Sequence, residues 1–442
     1  MKTLKTLITI GALCFFACDK TETLSEIDSD FNIDIYVVTE NGLSALKDSR
    51  VDDQDFSIVN DIEAFDNFNV GPNSEGTVTP VTYYGGHESG TRDFELYFAG
   101  GDGHIHKYHK RINEPIESLW AYNTGAALTA TVTAFTYHFY HTYGSANSGE
   151  NRQEDFVYAG NTAGKFVSLH GNGDEYWSYT LENNAPIHSS AVHVDGHGLV
   201  VFGADDGYVY ALNAYAGDLW WRFDTGGAVR SSPVNITVRV GNFDEASGKI
   251  IVGNDIGKLY ALDIPKKEVI WELDSGSAFK SSPFIKDLKG VNELYIGCNN
   301  GKMYKLDADT GSVIWEFQAG GAIESSPVYN ISTGTASENG IYFGSDDGFL
   351  YCIDSNDGAL IWKTNLNAGP IKSSPTVEYY YDIVYVNTPL GVFGLNTETG
   401  EIQSEYPVPA DGFAKSSPVV ISYDDYDDYY FSFKIPSISP IY

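Results

Sequence analysis

Residues 301–328 read GKMYKLDADTGSVIWEFQAGGAIESSPV. The apolar positions fall into short runs cut by turn residues, which is the pattern of closely spaced strands. Gly301 opens a run, KMYKL, that is apolar enough to be buried on both faces. Asp307 to Gly311 (DADTG) predicts a turn: the Asp side chain satisfies local backbone, and glycine takes a positive φ without strain. SVIWEF is a second strand carrying Trp315, and Gly320-Gly321 breaks it. Ser325-Ser326-Pro327 then opens another short strand.

The same pattern recurs from Gly207 (GYVYALNAYAGDLWWRF), Gly257 (GKLYALDIPKKEVIWEL), Gly348 (GFLYCIDSNDGALIWKT) and Gly391 (GVFGLNTETGEIQSEY), with weaker copies from Gly164 and Gly103. Six of the seven tryptophans, Trp120, Trp177, Trp221, Trp271, Trp315 and Trp362, fall at one repeat position, and Ser404 stands there in the last full copy. Ser-Ser-Pro-like openings lie near Val78, Ala130, Ser189, Ser231, Ser281, Ser325, Ser373 and Ser416. Their spacing, 42 to 59 residues, is that of propeller blades. Eight openings predict an all-β, eight-bladed β-propeller of four-stranded antiparallel blades.

The chain ends fit such a ring. Residues 33 to 47 supply two strands with no opening strand before them, and Ser416-Ser417-Pro418 is an opening strand with no full repeat after it. Closing one blade from both ends would leave no exposed sheet edge. The Tyr429–Phe433 run (YYFSF) offers one extra strand, so the count is open by one. The predicted propeller spans 33–433, with a tail at 434–442.

Residues 1–17 have the form of a lipoprotein-type signal peptide, with Lys2 and Lys5 before an apolar run from Leu7 to Ala17 that is too short to span a bilayer. It ends Phe15-Phe16-Ala17-Cys18, which resembles a lipobox with Phe15 where Leu is usual. Cys18 is therefore the expected lipid-attachment residue, with ordinary secretory cleavage as the alternative. Residues 18–32 read as a flexible tether. The expected location is the outer membrane, periplasmic or surface-facing, or else secretion.

Composition narrows the partners. The chain has 442 residues, 31 Tyr and 24 Phe, which is ample core material. Lys and Arg number 27 against 60 Asp and Glu, a formal charge of 27 − 60 = −33. Such a surface repels nucleic acid and anionic lipid headgroups. Expected partners are envelope proteins; membrane contact is through the anchor only, and the chain is a monomer. Cys298 and Cys352 belong to different repeats and are expected to be buried and unpaired.

The repeat Gly-x-x-Tyr-x-Leu-Asp-x-x-x-Gly-x-x-x-Trp resembles the pyrroloquinoline-quinone-like repeat over nearly all of residues 35–421. The resemblance implies that the six repeat tryptophans dock each blade on its neighbour, and that the junction at Ser404 is weaker. The family has a quinoprotein dehydrogenase branch, which holds pyrroloquinoline quinone and calcium in the channel beside an adjacent Cys-Cys disulfide. It also has a non-catalytic branch, which includes a lipid-anchored propeller of the outer-membrane assembly machinery. This chain has no Cys-Cys pair and no long loops over most blades. The resemblance thus implies a non-catalytic scaffold without cofactor. The alternatives are binding of a carbohydrate, quinone or anion in the channel, and a degenerate oxidoreductase.

The residue before each Ser-Ser pair is a further candidate: His188, Arg230, Lys280, Glu324, Lys372 and Lys415, with Thr77 and Thr129 in the weaker copies. The opening strand should be innermost, so these residues should ring the channel. Either they form a positive mouth for an anionic ligand or acidic peptide, or Asp and Glu of neighbouring blades neutralise them. His104 and His106 alternate onto one strand face near His109, and His138 and His141 lie in the insertion at 134–156; no carboxylate or Cys at fixed spacing completes a metal set, so no metal is expected. Tyr137, Phe139, Tyr140 and Tyr143 of that insertion form a candidate contact patch, or pack back on the first blades. The Asp-Gly turns at Asp102, Asp206 and Asp347 lack calcium-loop spacing and read as hairpin chemistry. Phosphate loops, nucleophile elbows and zinc-spaced Cys/His sets are absent from the sequence.

Overall fold

A computed structural model describes residues 30–39, 42–51, 65–68, 79–82, 93–111, 116–139, 152–194, 196–240, 243–288, 291–330, 339–378, 382–407, 416–423 and 429–432. Among them the strands form seven four-stranded antiparallel sheets and one five-stranded sheet. Each four-stranded sheet is a simple meander in sequence order. The blades are named here for the residue at the repeat tryptophan position. The Trp315 blade, for example, is built from Phe284–Leu288, Val291–Gly297, Lys302–Asp307 and Val313–Gln318. The Trp120, Trp177, Trp221, Trp271, Trp362 and Ser404 blades repeat this plan.

First strands of successive blades touch one another, for instance Val234–Val240 against Phe284–Leu288, so the opening strands line the centre. The third strands are buried on both faces, because a blade is covered on each side by a neighbour. The core therefore lies between blades. Ile236, Ile251 and Leu259 of the Trp271 blade pack against Ile285, Leu294, Ile296 and Leu306 of the Trp315 blade.

Three repeated devices hold the junctions. The first is the indole. Trp120, Trp177, Trp271, Trp315 and Trp362 donate from Nε1 to backbone oxygens of Gly171, Ala214, Ala308, Ser355 and Thr397, each in the next blade's third-to-fourth-strand turn, at 2.8–3.1 Å. In the same turns Gly173, Gly217, Gly311, Gly358 and Gly400 have positive φ, and a Cβ on any of them would fall within about 3 Å of the indole. Trp221 packs on the cluster that contains Ile264 of the next blade. The glycine signal thus has two causes: the turn needs the φ, and the indole needs the space.

The second device is the paired serine. The N–H of Ser190 donates to Ser232 Oγ, Ser232 to Ser282, Ser282 to Ser326, Ser326 to Ser374, and Ser374 to Ser417, at 2.9–3.1 Å. Thr131 N–H donates to Ser190 Oγ at the start of this belt. All these serines are buried. Each bond contributes on the order of 1 kcal/mol, and leaving its acceptor unmet would cost more.

The third is a β-bulge between third and fourth strands at the same place in every four-stranded blade. In the Trp315 blade Lys305 pairs with Trp315 and Leu306 with Val313, so Ile314 is the extra residue. A bulge re-aims side chains. Here the tryptophan turns toward the neighbouring blade and the residue before it turns outward: Leu119, Tyr176, Trp220, Ile270 and Ile314 are all exposed.

The ends meet in the five-stranded sheet, ordered Phe65–Phe68, Gly42–Val51, Asp30–Thr39, Val419–Tyr423, Tyr429–Ser432. Two expectations change. Seven blades are four-stranded where eight were expected, because the YYFSF run adds a fifth strand to the sheet shared by the termini. The first strand also begins at Asp30, inside the stretch read as tether. Tyr429–Ser432 lies beyond the opening strand of its sheet, on the axial side, and both touch the first strand of the Ser404 blade. Residues 1–29, which include the stretch read as a signal peptide and Cys18, and the tail at 434–442 lie outside the described residues.

Candidate interaction face at the channel mouth

In an antiparallel meander the second-to-third-strand turns and the interblade loops share one end. The residues before the serine pairs are on those loops. Each turn brings one residue to the same place: the backbone N–H groups of Thr162, Asp205, Asp255, Asn299 and Asp346 all donate to the loop oxygens of Ala127, Pro186, Ala228, Ala278 and Ala322. The side chains of loop and turn therefore meet.

The result is a mesh of ion pairs across blades. Arg230 grips Asp205 of the preceding blade with two bonds of 2.9 Å, and its Nε is 3.6 Å from Asp255 of its own blade. His188 Nε2 is 3.6 Å from Asp205, and its Nδ1 is 2.6 Å from Thr129 Oγ1. Lys280 and Lys372 each reach Glu324 at 3.1 Å from opposite sides, and Lys372 is 3.7 Å from Asp346. Where the turn residue is Asn299 instead of Asp, the loop residue of the next blade is Glu324, so the acid has changed position and the charge count is kept.

The charges are not equally well served. Burial would raise the Glu324 carboxyl, but hydrogen bonds and charge from Lys372 and Lys280 outweigh it and hold it below the ordinary value. Burial pushes Asp255 and Asp346 up despite the nearby bases. Asp255 Oδ1, Asn299 Oδ1 and Asp346 Oδ1 are buried acceptors without a hydrogen-bond partner. Of the two readings of this ring, the described residues agree with neutralisation: Arg230, Lys280 and Lys372 each lie within ion-pair distance of carboxylates. Lys415 and Thr77 lie outside the described residues.

The next turn residue bonds a side chain four positions on. Asp206 meets Tyr210 at 2.7 Å, Asn300 meets Tyr304 at 2.9 Å, Asp347 meets Tyr351 at 2.5 Å and Asp102 meets His106 at 3.2 Å. These Asp-Gly and Asn-Gly turns thus tie down a third-strand side chain as well as making the hairpin.

Known proteins with the same architecture can now be set beside it. The family model described as outer membrane protein assembly factor BamB matches residues 206–368 and 288–422. BamB from Moraxella catarrhalis superposes with a TM-score of 0.52 at 16% identity, over 79% of this chain and 98% of that one. The chain is a PQQ-like repeat propeller related to BamB. Sqt1 of Saccharomyces cerevisiae (TM-score 0.54, 14% identity, 78% and 93% covered) shares the fold. So does the computationally designed Ika8 (0.50, 15%, 82% and 100%). Among curated proteins no sequence matches.

Elsewhere in this PQQ-like propeller, Asp102 supplies the carboxylate that spacing did not reveal: its Oδ2 is 3.3 Å from His104 Nδ1 and 3.2 Å from His106 Nε2. Burial lowers the His106 pKa even so, and Phe98 stacks on its ring at 5.0 Å. Among the described residues no three His, Cys, Asp or Glu side chains gather as a metal site. His138 and His141, and the aromatic side chains of the 134–156 insertion from Tyr137 to Tyr143, are outside the described side chains. Cys298 and Cys352 are buried and free.

The sequence also gave no sign of two buried lysines facing docking tryptophans. Lys107 and Lys305 lie opposite Trp120 and Trp315. Each pairs at 2.6 Å with a glutamate, Glu95 or Glu293, and shares with its tryptophan the same backbone oxygen, Gly171 or Ser355.

Proposed function

We propose that this propeller is a non-catalytic protein-interaction scaffold of the cell envelope, exported and anchored through an acylated Cys18. In this reading the five-stranded sheet is the eighth blade that closes the ring, and no quinone, calcium or other cofactor is used. One observation carries the non-catalytic reading. The chain's own strand Tyr429–Ser432 sits on the axial side of the closing sheet, where a channel cofactor would need room. The relation to BamB and the rigid, cross-linked mouth support a platform that presents surface without rearranging.

The partner would meet the mouth, where the charged side chains are partly exposed. Capture from envelope extracts with the full chain tests this. A partner retained by wild type and by Trp220→Ala, but lost on Lys280→Ala with Lys372→Ala, supports it; equal retention by all three proteins overturns it. Oxidation of an alcohol or sugar with an artificial acceptor after adding quinone and calcium would restore the enzyme reading. Fatty-acid labelling lost in Cys18→Ser tests the anchor. A second reading, a small ligand at the mouth, draws on the three unpartnered acceptors, and these would take a hydrogen-bond donor instead of an anion.

A further inference from the structure

Trp220 is the one tryptophan of seven that does not occupy the docking position. It is the extra residue of its blade's bulge: Ala211 pairs with Trp221 and Leu212 with Leu219. The bulge that sends Trp221 into the junction therefore turns Trp220 outward, and it is 46% exposed. Beside it, at the end opposite the channel mouth, is a cavity of about 290 Å³ lined by Trp220, Leu199, Pro265, Asn213, His197 and Gly196. This is close to the low end of small-ligand sites, roughly 300 Å³. It lies between the Trp221 and Trp271 blades.

Two further features set this junction apart. The repeat glycine that elsewhere lies under the docking indole is here Lys267, which takes a left-handed φ of 59°. A lysine in that conformation is strained. Its ammonium lies over Trp220, 4.4 Å from the ring centroid. Its neighbour Lys266 is held by Asp263. Gly196 and Gly198 have positive φ, and a Cβ added at Gly198 would fall 2.9 Å from the Tyr215 ring and one at Gly248 of the next blade 3.0 Å from His197 Nε2, so these side chains pack close to glycine backbone. Asn213 Oδ1 accepts the N–H groups of Tyr215 and Ala216, which leaves its Nδ2 as the group it can offer.

We propose that this cavity is a binding site for one pyranose sugar residue, with a carboxylate-bearing (uronic acid) ring preferred. In this proposal the Trp220 face that Lys267 leaves uncovered is the one against which the C–H face of a sugar packs, and Leu199 and Pro265 complete an apolar floor. The lining offers two N–H donors, the Asn213 amide and one nitrogen of the His197 ring, and the Lys267 ammonium stands next to the lining over the Trp220 ring. They match a ligand rich in acceptors, and Lys267 pairs with its carboxylate. The formal charge of −33 repels a long polyanion, so the site takes a single residue or a chain end. This inference does not rest on the scaffold reading and stands or falls separately.

The test uses the full chain with galacturonate, and galactose as the neutral comparator, by ligand-observed saturation-transfer NMR and tryptophan fluorescence at low and high salt. Galacturonate should bind in the millimolar range, tighter than galactose, with affinity falling as salt rises. Trp220→Ala should weaken it at least about tenfold, and the half-exposed site makes the loss separable from unfolding. Lys267→Gly restores the repeat residue, so the protein should be no less stable while the preference for the acidic sugar disappears. Binding of neither sugar, or binding unchanged by Trp220→Ala, overturns the site. Equal binding of both sugars by wild type overturns the acidic preference.

Discussion

Between the Trp315 and Trp362 blades, the outer edge and the channel mouth are joined by different means. At the outer edge Trp315 lies on Gly358 and donates to Ser355, with buried Lys305 bonded to the same oxygen. At the mouth the same two blades meet through Lys280 and Glu324, both partly exposed. The outer contact is a fit of shapes and a single acceptor, so the same residue types serve in blade after blade. The mouth is a balance of charge, met with different residues at each junction. The first arrangement fixes the ring; the second leaves its residues free to vary as long as the sum is kept. The first prediction addresses the stronger edge. Trp315→Ala should destabilise the chain by about 3–5 kcal/mol in chemical denaturation. A loss no larger than that of a surface substitution would mean the indoles do not staple the ring.

Lys305 sharpens the contrast because Ala211 and Ala261 occupy its place in two other blades. Removing one member of a buried pair strands the other, so Lys305→Met should cost about 3 kcal/mol. Glu293 keeps Lys286 at 3.9 Å and a bond from Tyr295, which limits the loss. Adding Glu293→Gln should recover most of it. A double variant as unstable as the single one would show that the lysine is needed for shape and not for charge.

Glycines separate the φ requirement from the space requirement. Gly358 has a φ of 75° and would place a Cβ 3.0 Å from the Trp315 ring, whereas Gly369 has a φ of 79° with nothing within 4 Å. Gly369→Ala should cost about 1 kcal/mol for backbone strain alone. Gly358→Ala should cost about 1–3 kcal/mol more, because the indole must shift. Equal losses in thermal or denaturant unfolding would remove the indole from the account of why these turns hold glycine.

What could be read in the sequence follows the same division. The tryptophans were legible because every copy asks the same thing of them. The serine pair was legible as a repeat mark, but its belt was not: Ser190 and Ser232 bond across 42 residues, and no local pattern encodes which hydroxyl meets which N–H. The loop ring was legible, while its acids were hidden in turns already explained by hairpin chemistry; Asp205 reads as a turn residue until Arg230 is found on it. Asp102 was missed for the same reason. The fourth-strand bulge left no turn residue to mark it, so the exposure of Trp220 and Ile314 was unreadable. The fifth strand at Tyr429–Ser432 was visible as a strand, but its axial side was not.

The mouth supplies the smallest effect and the most specific sign. Glu324 is held below the ordinary carboxylate value by Lys372 and Lys280 against the effect of burial. A carboxyl lowered in the folded state adds stability that is complete above its unfolded pKa and is lost as pH falls through the folded one. Asp255 and Asp346 are raised by burial, so their contribution has the opposite slope and their protonation on acidification relieves the fold. Glu324→Gln should therefore cost about 1 kcal/mol at neutral pH, and the gap to wild type should persist down to about pH 4.5 and close only as the pH falls further, toward about pH 3. Denaturation midpoints across this range measure it. A gap that stays constant would mean that Glu324 acts through its shape, and the mouth would then be the same kind of joint as the outer edge.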